Sequence, residues 1–491
     1  MRVVFRTLAV ASVAALTLSA CGGATNASGG LPYGPSTESS SGGTASNYIQ
    51  HVIVVIQENR SYDNLFSTFP GANGTTFGCM EPPSGMQTLR HRHQSTSGCP
   101  NGDTYVPLKK VNLVELCDWS HSYKNVGIDY DLGNMDGFGL EGGGKMVGCQ
   151  GKVGTKVYQY VDPAQIEPYW SMAQQYVLGD NMFQTQGSGS FTAHQDLIAG
   201  ATFIDQARTK SLVDFPSHMP WGCDAPAGTR TSQLLWTGTK LEDQYDKGPF
   251  PCSKDFPNYG SNGYETLRDL LDAKSVSWTY YSPPVIGNTG KLWNAFDLVA
   301  PVRYGPEWKT NIKEPKVFFS NITAGKLPAV SWIVPDNPNS DHPTAHDTGP
   351  SWVASIVNAV GESKYWDTTA IVVVWDDWGG FYDHVKPPLF DHWGGLGFRV
   401  PMILISPYAR ETYPSTPGYV SHTQYEFGSI LKFIENTWGL GSLGTTDKRA
   451  NSIVDCFDFT QPPRAFTEIK ATYSRSYFLH QPYSYQPVDS E

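Results

Sequence analysis

The chain has 491 residues and a formal net charge of −11, with 40% hydrophobic and 16% charged residues. This composition is that of a folded protein with a large core, so global disorder is excluded. The acidic charge comes with no basic stripe, which excludes nucleic acid and anionic lipid as partners bound by bulk electrostatics.

The first twenty residues predict export. Arg2 and Arg6 precede the stretch TLAVASVAALTLSA, which is too short to span a bilayer and which small residues follow, as in a secretory signal peptide. The boundary LSAC resembles the lipobox of bacterial lipoproteins. We therefore expect residues 21–47 to comprise a lipidated Cys21 and a flexible tether that anchors the chain in the cell envelope, periplasmic or surface-exposed. The alternative is a plain signal peptide cut nearby.

Cysteine usage agrees with export. Of the eight cysteines, Cys21 would be lipidated, and the other seven suffice for up to three disulfides and one free thiol in an oxidising compartment. We predict the disulfides Cys79–Cys99 and Cys223–Cys252, because each pair brackets a loop rich in Gly and Pro. Zinc is the rival use of cysteine, but no C-x-x-C motif occurs in the sequence.

Strand-like and helical patterns alternate along much of the chain. Apolar runs of strand character occur at residues 51–57, 276–282, 329–335, 369–375 and 399–407, and helical patterns occur at residues 264–274, 351–363 and 423–438. This alternation predicts an α/β fold with a mostly parallel central sheet flanked by helices. Two Gly/Pro-rich stretches without periodicity, residues 67–165 and 205–260, are expected to be loop-rich cap insertions. Residues 461–491 are expected to form an extended tail.

Two of the predicted strands end in adjacent polar side chains. HVIVVIQ is followed by Glu58 and Asn59, and TAIVVVW is followed by Asp376 and Asp377. Adjacent carboxylates repel, and they persist only when a cation or several donors neutralise them. If the two strands are neighbours, the four side chains meet at one edge of the sheet, where oxygen ligands of this kind suit a divalent metal. A solvated turn or a cap is the alternative use of each pair.

The segment GSGSFTAHQ supplies a candidate nucleophile. It leads into a predicted helix that begins near Ser190. A hydroxyl at a helix N-terminus lies among free N–H groups at the positive end of the dipole, where an anion binds and an alkoxide is favoured. An N-cap serine is the common alternative. Neither Ser188 nor Ser190 fits G-x-S-x-G, which disfavours an acyl hydrolase.

Three histidines are further candidates for the same rim. His121 lies in CDWSHSY, His342 follows an acid in SDHP, and His384 follows the Gly379–Gly380 turn, which permits the chain to fold back. Each imidazole can donate to an anion or protonate a leaving group. Capping or packing is the ordinary alternative for any single histidine.

These segments together resemble a known family. ENRSYDNLF, DWSHSY, MDGF, GSFTAHQ, WDDWGGFYDHVKPP and YVSHTQYEFGSILKFIE occur in the order found in the bacterial phosphoesterase family of non-haemolytic-type phospholipases C and acid phosphatases. The resemblance covers residues 48–460 and implies a catalytic domain with an alkaline-phosphatase-like core. Gly189 and Thr192 stand where this family usually has proline.

The resemblance also implies the roles of the candidate residues. One divalent metal ion, whose identity is not readable, would be held by Glu58, Asn59, Ser190, Asp376 and Asp377. Ser190 would be the nucleophile, and the phosphoryl group would be surrounded by His121, His342 and His384.

The expected activity is metal-dependent hydrolysis of phosphoric esters through a covalent phosphoserine. The pair Asp376 and Asp377 resembles the acid-phosphatase branch, which favours a phosphomonoesterase or phosphodiesterase of broad range. Phospholipase C acting on phosphatidylcholine-type lipids is the alternative. A catalytically inactive, surface-anchored binding protein is a hypothesis of another class, and the intact set of site residues argues against it.

Overall fold

The structure, a computed structural model, describes residues 45–82, 98–99, 103–143, 149–205, 207–249, 252, 265–285, 293–388, 395–412, 418–484 and 486. The predicted signal peptide, Cys21 and residues 21–44 of the predicted tether lie outside these ranges. Within them, no helix is long and apolar enough to cross a membrane.

The described part of the chain contains both strands and helices. The strands are His51–Gln57 (β1), Phe77–Met80 (β2), Thr104–Pro107 (β3), Lys109–Val111 (β4), Gln159–Val161 (β5), Val177–Gly179 (β6), Met182–Phe183 (β7), Lys210–Val213 (β8), Thr231–Trp236 (β9), Leu241–Gly248 (β10), Trp278–Tyr281 (β11), Ile312–Lys313 (β12), Val330–Ile333 (β13), Thr369–Trp375 (β14), Met402–Ile405 (β15), Tyr419–Ser421 (β16) and Tyr425–Glu426 (β17). The α-helices are Tyr62–Phe66 (α1), Tyr123–Tyr130 (α2), Glu167–Gln175 (α3), Ser190–Ala199 (α4), Leu267–Ala273 (α5), Ala300–Arg303 (α6), Glu307–Thr310 (α7), Pro315–Thr323 (α8), Gly349–Gly361 (α9), Phe427–Trp438 (α10) and Arg475–His480 (α11).

An eight-stranded sheet forms the centre of the fold. Its spatial order is β12-β11-β13-β1-β14-β15-β6-β16. All neighbouring pairs are parallel except those of β15, which runs antiparallel to both β14 and β6. Helices α3, α8 and α9 pack against β6, β11 and β14 respectively. The predicted α/β fold with a mostly parallel, helix-flanked sheet is confirmed.

The long apolar runs explain the centre of this sheet. All of β14 and six of the seven residues of β1 are buried, as expected for β-branched strands covered on both faces. Each of the five predicted strands contributes to the sheet, as β1, β11, β13, β14 and β15. The three predicted helices correspond to α5, α9 and α10. Helix α10 begins at Phe427 instead of residue 423, because β17 pairs with β7 just before it.

The two segments that we expected to be loop-rich contain short strands and a helix. The first contains the antiparallel pair β2–β3, the parallel pair β4–β5 and helix α2. The second contains the antiparallel sheet β10-β9-β8. These strands are three to eight residues long, so they produce little periodicity in the sequence.

Each insertion is cross-linked internally by disulfides. The predicted pairs Cys79–Cys99 and Cys223–Cys252 are confirmed. A third disulfide joins Cys117 to Cys149, and Cys456 is a buried free thiol. In the expected tail, Phe478 of α11 is buried and the backbone of Ile469 bonds to Asn358, so this segment packs closely on the domain.

Candidate active site

Strands β1 and β14 bring the two polar pairs together. They are parallel neighbours, with Gln57 opposite Trp375, which confirms the expected adjacency. The backbone N–H of Asn59 donates to Asp376 Oδ1 at 3.0 Å, although the two residues are 317 positions apart. Asn59 has a φ of 56°, a left-handed conformation that asparagine tolerates better than most residues. Glu58, Asn59, Asp376 and Asp377 are all fully buried.

Two glycines let the loop after β14 approach its neighbours closely. Gly379 and Gly380 have φ values of 61° and 72°. A Cβ on Gly379 would lie 2.2 Å from the carbonyl oxygen of Asn59, and one on Gly380 would lie 2.7 Å from Trp119 Cβ. Gly379 also donates its N–H to Asp377 Oδ1 at 2.8 Å, so the same turn orients the second carboxylate.

Ser190 lies at the N-terminus of α4 and faces the acids. Its Oγ donates to Asp377 Oδ2 at 3.1 Å. Gly189 precedes the helix in an extended conformation, as a cap residue does. Ser188 is directed elsewhere, because its Oγ accepts from the hydroxyl of Thr192 and from the backbone N–H of Asp214. The predicted helix start near Ser190 is confirmed.

His121 lies between these groups. Its Nδ1 is 2.8 Å from the carbonyl oxygen of Trp119, and its Nε2 is 3.0 Å from Asn59 Nδ2. A carbonyl only accepts and an amide nitrogen only donates, so the neutral tautomer with its proton on Nδ1 satisfies both contacts. Nε2 is also 3.7 Å from Asp377 Oδ2. His121 therefore contacts one residue from each polar pair.

His194 is a site residue that the sequence reasoning did not name. Its Nε2 lies 2.9 Å from Glu58 Oε1 and 3.8 Å from Asp376 Oδ2. Burial lowers the pKa of His194 to about 4, against the opposing charge of Asp376, so the imidazole is neutral at pH 7. A signal was present in the sequence, because residues four apart share one face of a helix and His194 follows Ser190 by that spacing.

The donor set fits a divalent cation. Glu58, His194 and Asp376 offer ligand atoms that lie within 4.8 Å of one another. Asp376 Oδ2 and Asn59 Oδ1 are buried without a hydrogen-bond partner among the described residues. Buried carboxylate and amide oxygens are both costly to leave unmatched, so both atoms fit a bound cation. Carboxylate, amide and imidazole groups are ordinary ligands of divalent metals.

His342 lies beside the segment that carries His121. Its Nε2 is 3.4 Å from Asp118 Oδ2. The preceding residue, Asp341, accepts hydrogen bonds from Tyr169 and from Trp375, the last residue of β14. Burial raises the pKa of Asp341 to about 6 in spite of these bonds. The catalytic role of His342 stays a prediction.

The structure places His384 in a separate ion-pair network. Its Nδ1 is 2.7 Å from Asp63 Oδ2, and the buried guanidinium of Arg399 pairs with both Asp63 and Asp383. Burial lowers the pKa of His384 but the bond to Asp63 outweighs it, so the pKa is raised. Asp63, Asp383 and His384 also form a cluster of metal-binding residue types, but Arg399 supplies positive charge there. The predicted contact of His384 with the phosphoryl group stays a prediction.

A serine hydroxyl at a helix N-terminus, bonded to a buried carboxylate amid further metal-type donors, suits the binding of a phosphoryl anion and the stabilisation of the charge that develops on it. The Phosphoesterase family model matches residues 49–441. The chain belongs to this family and is a phosphoester hydrolase. The resemblance inferred from the sequence motifs is thereby confirmed.

Several proteins are similar to this chain. Phospholipase C A of Mycobacterium tuberculosis is 26% identical over 458 residues, which cover 85% of this chain and 78% of that protein. Non-hemolytic phospholipase C of Pseudomonas aeruginosa is 23% identical over 471 residues, covering 84% of this chain and 58% of that protein. Among solved structures, a protein in the alkaline phosphatase superfamily from Vibrio parahaemolyticus covers 59% of this chain and 65% of its own, with 11% identity. Its TM-score to this chain is 0.33.

Proposed function

We propose that the enzyme hydrolyses phosphoric esters through a covalent phosphoserine on Ser190. The observation that carries this proposal is the hydrogen bond from Ser190 Oγ to Asp377 Oδ2 at the N-terminus of α4. The carboxylate of Asp377 accepts the hydroxyl proton of Ser190, so it can help to remove that proton. The positive end of the helix dipole favours an incoming phosphoryl anion at the same place.

One divalent ion is part of the proposal. The residues that would hold it are Glu58, Asn59, Ser190, Asp376 and Asp377, with His194 as an additional donor. When bound, such an ion would supply the positive charge that favours the alkoxide form of a serine and offsets the charge on phosphoryl oxygens. The bond from Asn59 Nδ2 to His121 directs the amide oxygen of Asn59 away from the imidazole, which leaves that oxygen available as a ligand.

The protein's own groups account for the remaining steps. Ser190 Oγ gives its proton to Asp377 Oδ2, the carboxylate oxygen to which it is hydrogen-bonded, and attacks phosphorus. The bond from phosphorus to the departing alkoxide breaks, and a protonated side chain supplies a proton to that alkoxide. His121 can take up and release a proton at Nε2 when the bond that this atom accepts from Asn59 Nδ2 opens, since Nδ1 is fixed by the carbonyl of Trp119. His342 beside Asp118 is the second candidate. Water then cleaves the phosphoserine, which releases phosphate or a phosphomonoester and restores Ser190.

The substrate class is the finer part of the proposal. The pair Asp376 and Asp377 favours a phosphomonoesterase or phosphodiesterase of broad range. Phospholipase C activity is the second candidate, which the names of the relatives in Mycobacterium tuberculosis and Pseudomonas aeruginosa favour. The two activities share site chemistry and differ in the walls of the pocket.

Steady-state kinetics test both parts. Hydrolysis of p-nitrophenyl phosphate, p-nitrophenyl phosphorylcholine and phosphatidylcholine vesicles is measured with and without chelator. We expect chelator to abolish turnover, and Ser190→Ala to be inactive but to retain substrate binding. Ser188→Ala loses only a contact beside the nucleophile, so it should keep reduced but measurable turnover. An inactive Ser188→Ala together with an active Ser190→Ala would show that the nucleophile is Ser188 and that the assignment to Ser190 is wrong. A kcat/KM for phosphatidylcholine more than about tenfold above that for aryl phosphates would establish phospholipase C instead.

We further propose that the enzyme is exported and anchored through Cys21. Three disulfides among the described residues support an oxidising compartment. A single lipid-modified terminus would hold the enzyme beside a bilayer whatever its substrate. We expect Cys21→Ser to move the protein from the membrane fraction to the soluble fraction. An unchanged membrane fraction would contradict the anchor.

A further inference from the structure

Asp214, which follows β8 in the second insertion, is hydrogen-bonded to two of the catalytic segments. Its Oδ1 accepts from the backbone N–H of Tyr123 at 2.5 Å, and its own N–H donates to Ser188 Oγ at 2.9 Å. Tyr123 lies two residues after His121, and Ser188 lies two residues before Ser190. A single buried side chain and its backbone therefore bridge the segment of the proposed nucleophile and the segment of the neighbouring histidine.

Strand β8 holds Asp214 firmly in place. The carbonyl oxygen of Leu212 accepts from Gln186 Nε2 at 2.8 Å and from Thr202 Oγ1 at 2.9 Å. The N–H of Leu212 donates to the carbonyl of Thr202. Gln186 precedes α4 and Thr202 follows it, so β8 is bonded to the chain on both sides of the helix that begins with Ser190.

The next residue of the insertion packs on the same two segments. A Cβ on Gly189 would lie 2.5 Å from the ring of Phe215. The ring of Phe215 also meets the imidazole of His121 edge-on, with centroids 6.0 Å apart. The insertion thus contacts both the residue before Ser190 and His121 itself.

We propose that Asp214 is a positioning residue for phosphoryl transfer. It acts through Ser188 and Tyr123 to hold Ser190 and His121 at the spacing that the reaction requires. The inference rests on the proposed role of Ser190. Small displacements of reacting groups reduce turnover much more than affinity, because alignment matters most in the transition state.

The test uses substitutions that can adopt the backbone conformation of Asp214. Asp214 has a φ of 59°, so glycine keeps the conformation and the N–H to Ser188 while removing the carboxylate. Asparagine tolerates the same φ and restores an acceptor for Tyr123. Asp246 supplies a matched control, because it lies in the same insertion with a φ of 52° and also donates its N–H to a serine hydroxyl, that of Ser232.

We expect Asp214→Gly to lower kcat by about tenfold or more and to leave KM within about twofold, while Asp214→Asn recovers most of kcat. Inhibition by orthovanadate, which mimics the transition state, should weaken by a similar factor, and inhibition by inorganic phosphate should not change. Asp246→Gly should match the wild type.

Three outcomes would overturn the proposal: a wild-type kcat in Asp214→Gly, an equal defect in Asp214→Asn, or an equal defect in Asp246→Gly. If Asp214→Gly does not fold, Tyr123→Pro removes the same hydrogen bond from the other partner. Tyr123 is the first residue of α2 and follows an extended Ser122, a position that proline accepts. Ser190→Ala is measured in parallel. An active Ser190→Ala would show that the proposed nucleophile itself is wrong, which is a different failure from a wrong role for Asp214.

Discussion

Replacing Asp376 by asparagine should change stability in opposite directions with and without metal. The substitution preserves the shape of the side chain and an Oδ1 acceptor for the N–H of Asn59. It removes one negative charge from a buried group in which the ligand atoms of Glu58, His194 and Asp376 lie within 4.8 Å of one another. Two carboxylate charges at that distance repel by at least about 3.5 kcal/mol at an effective dielectric constant of about 20.

The metal-free variant should therefore be more stable than the metal-free wild type by about 3 kcal/mol. Adding a divalent metal at about one hundred times its dissociation constant should stabilise the wild type by about 2.7 kcal/mol. The variant has lost a charged ligand and should gain little. Thermal unfolding is followed at about pH 8, first with chelator and then with each of Mg²⁺, Ca²⁺, Mn²⁺ and Zn²⁺.

Asp341→Asn is the matched control for this experiment. Asp341 is also a buried aspartate, and its Oδ2 accepts from Tyr169 and Trp375 outside the proposed ligand set. Its metal-induced increase in Tm should equal that of the wild type. A full metal-induced increase in Asp376→Asn, or a metal-free variant less stable than the metal-free wild type, would refute the metal assignment.

Three further predictions concern individual residues. Burial raises the pKa of Asp341 to about 6 from 3.8, so the folded state retains a proton that the unfolded state has lost. Relative to Asp341→Asn, the wild type should lose about 2.4 kcal/mol of unfolding free energy between about pH 4 and about pH 7, measured by denaturant titration. His194→Gln should weaken metal binding by about tenfold or more, measured by calorimetry. An unchanged affinity for the metal would show that the imidazole only packs beside the site. Replacing Cys117 and Cys149 together by alanine should lower kcat, because this disulfide anchors the segment that leads to His121; a wild-type kcat would show that the segment is held without it.

The central fold was readable from sequence because its strands are continuous and buried. β1 and β14 have the predicted limits, since each is a run of mostly β-branched residues that ends where polar side chains begin. The other three strands of this sheet, β6, β12 and β16, were missed. Each is only two or three residues long, which is too short to show a periodicity that separates it from a loop.

The candidate site was partly readable for the same reason. Strand ends locate Glu58 and Asp376, and the glycine-rich turn into a helix locates Ser190. The turn at Gly379 does bring His384 back to Asp63. The ion-pair network at that place also contains Arg399, and no local sequence pattern reveals this third group. Asp214 likewise lacks a local signal, because its importance arises from contacts with segments far away in the sequence.

The position of β1 has a consequence for how the enzyme is made. This strand lies between β13 and β14, and both neighbours are synthesised more than 250 residues after it. Until those neighbours have been made, this strongly apolar strand lacks its partners in the sheet, and unpaired strands of this kind aggregate readily. No fragment that ends before Asp376 contains the complete ligand set. Any ion in the site is therefore acquired from the compartment in which the last third of the chain folds, and metal supply in that compartment selects the ion as much as the ligands do.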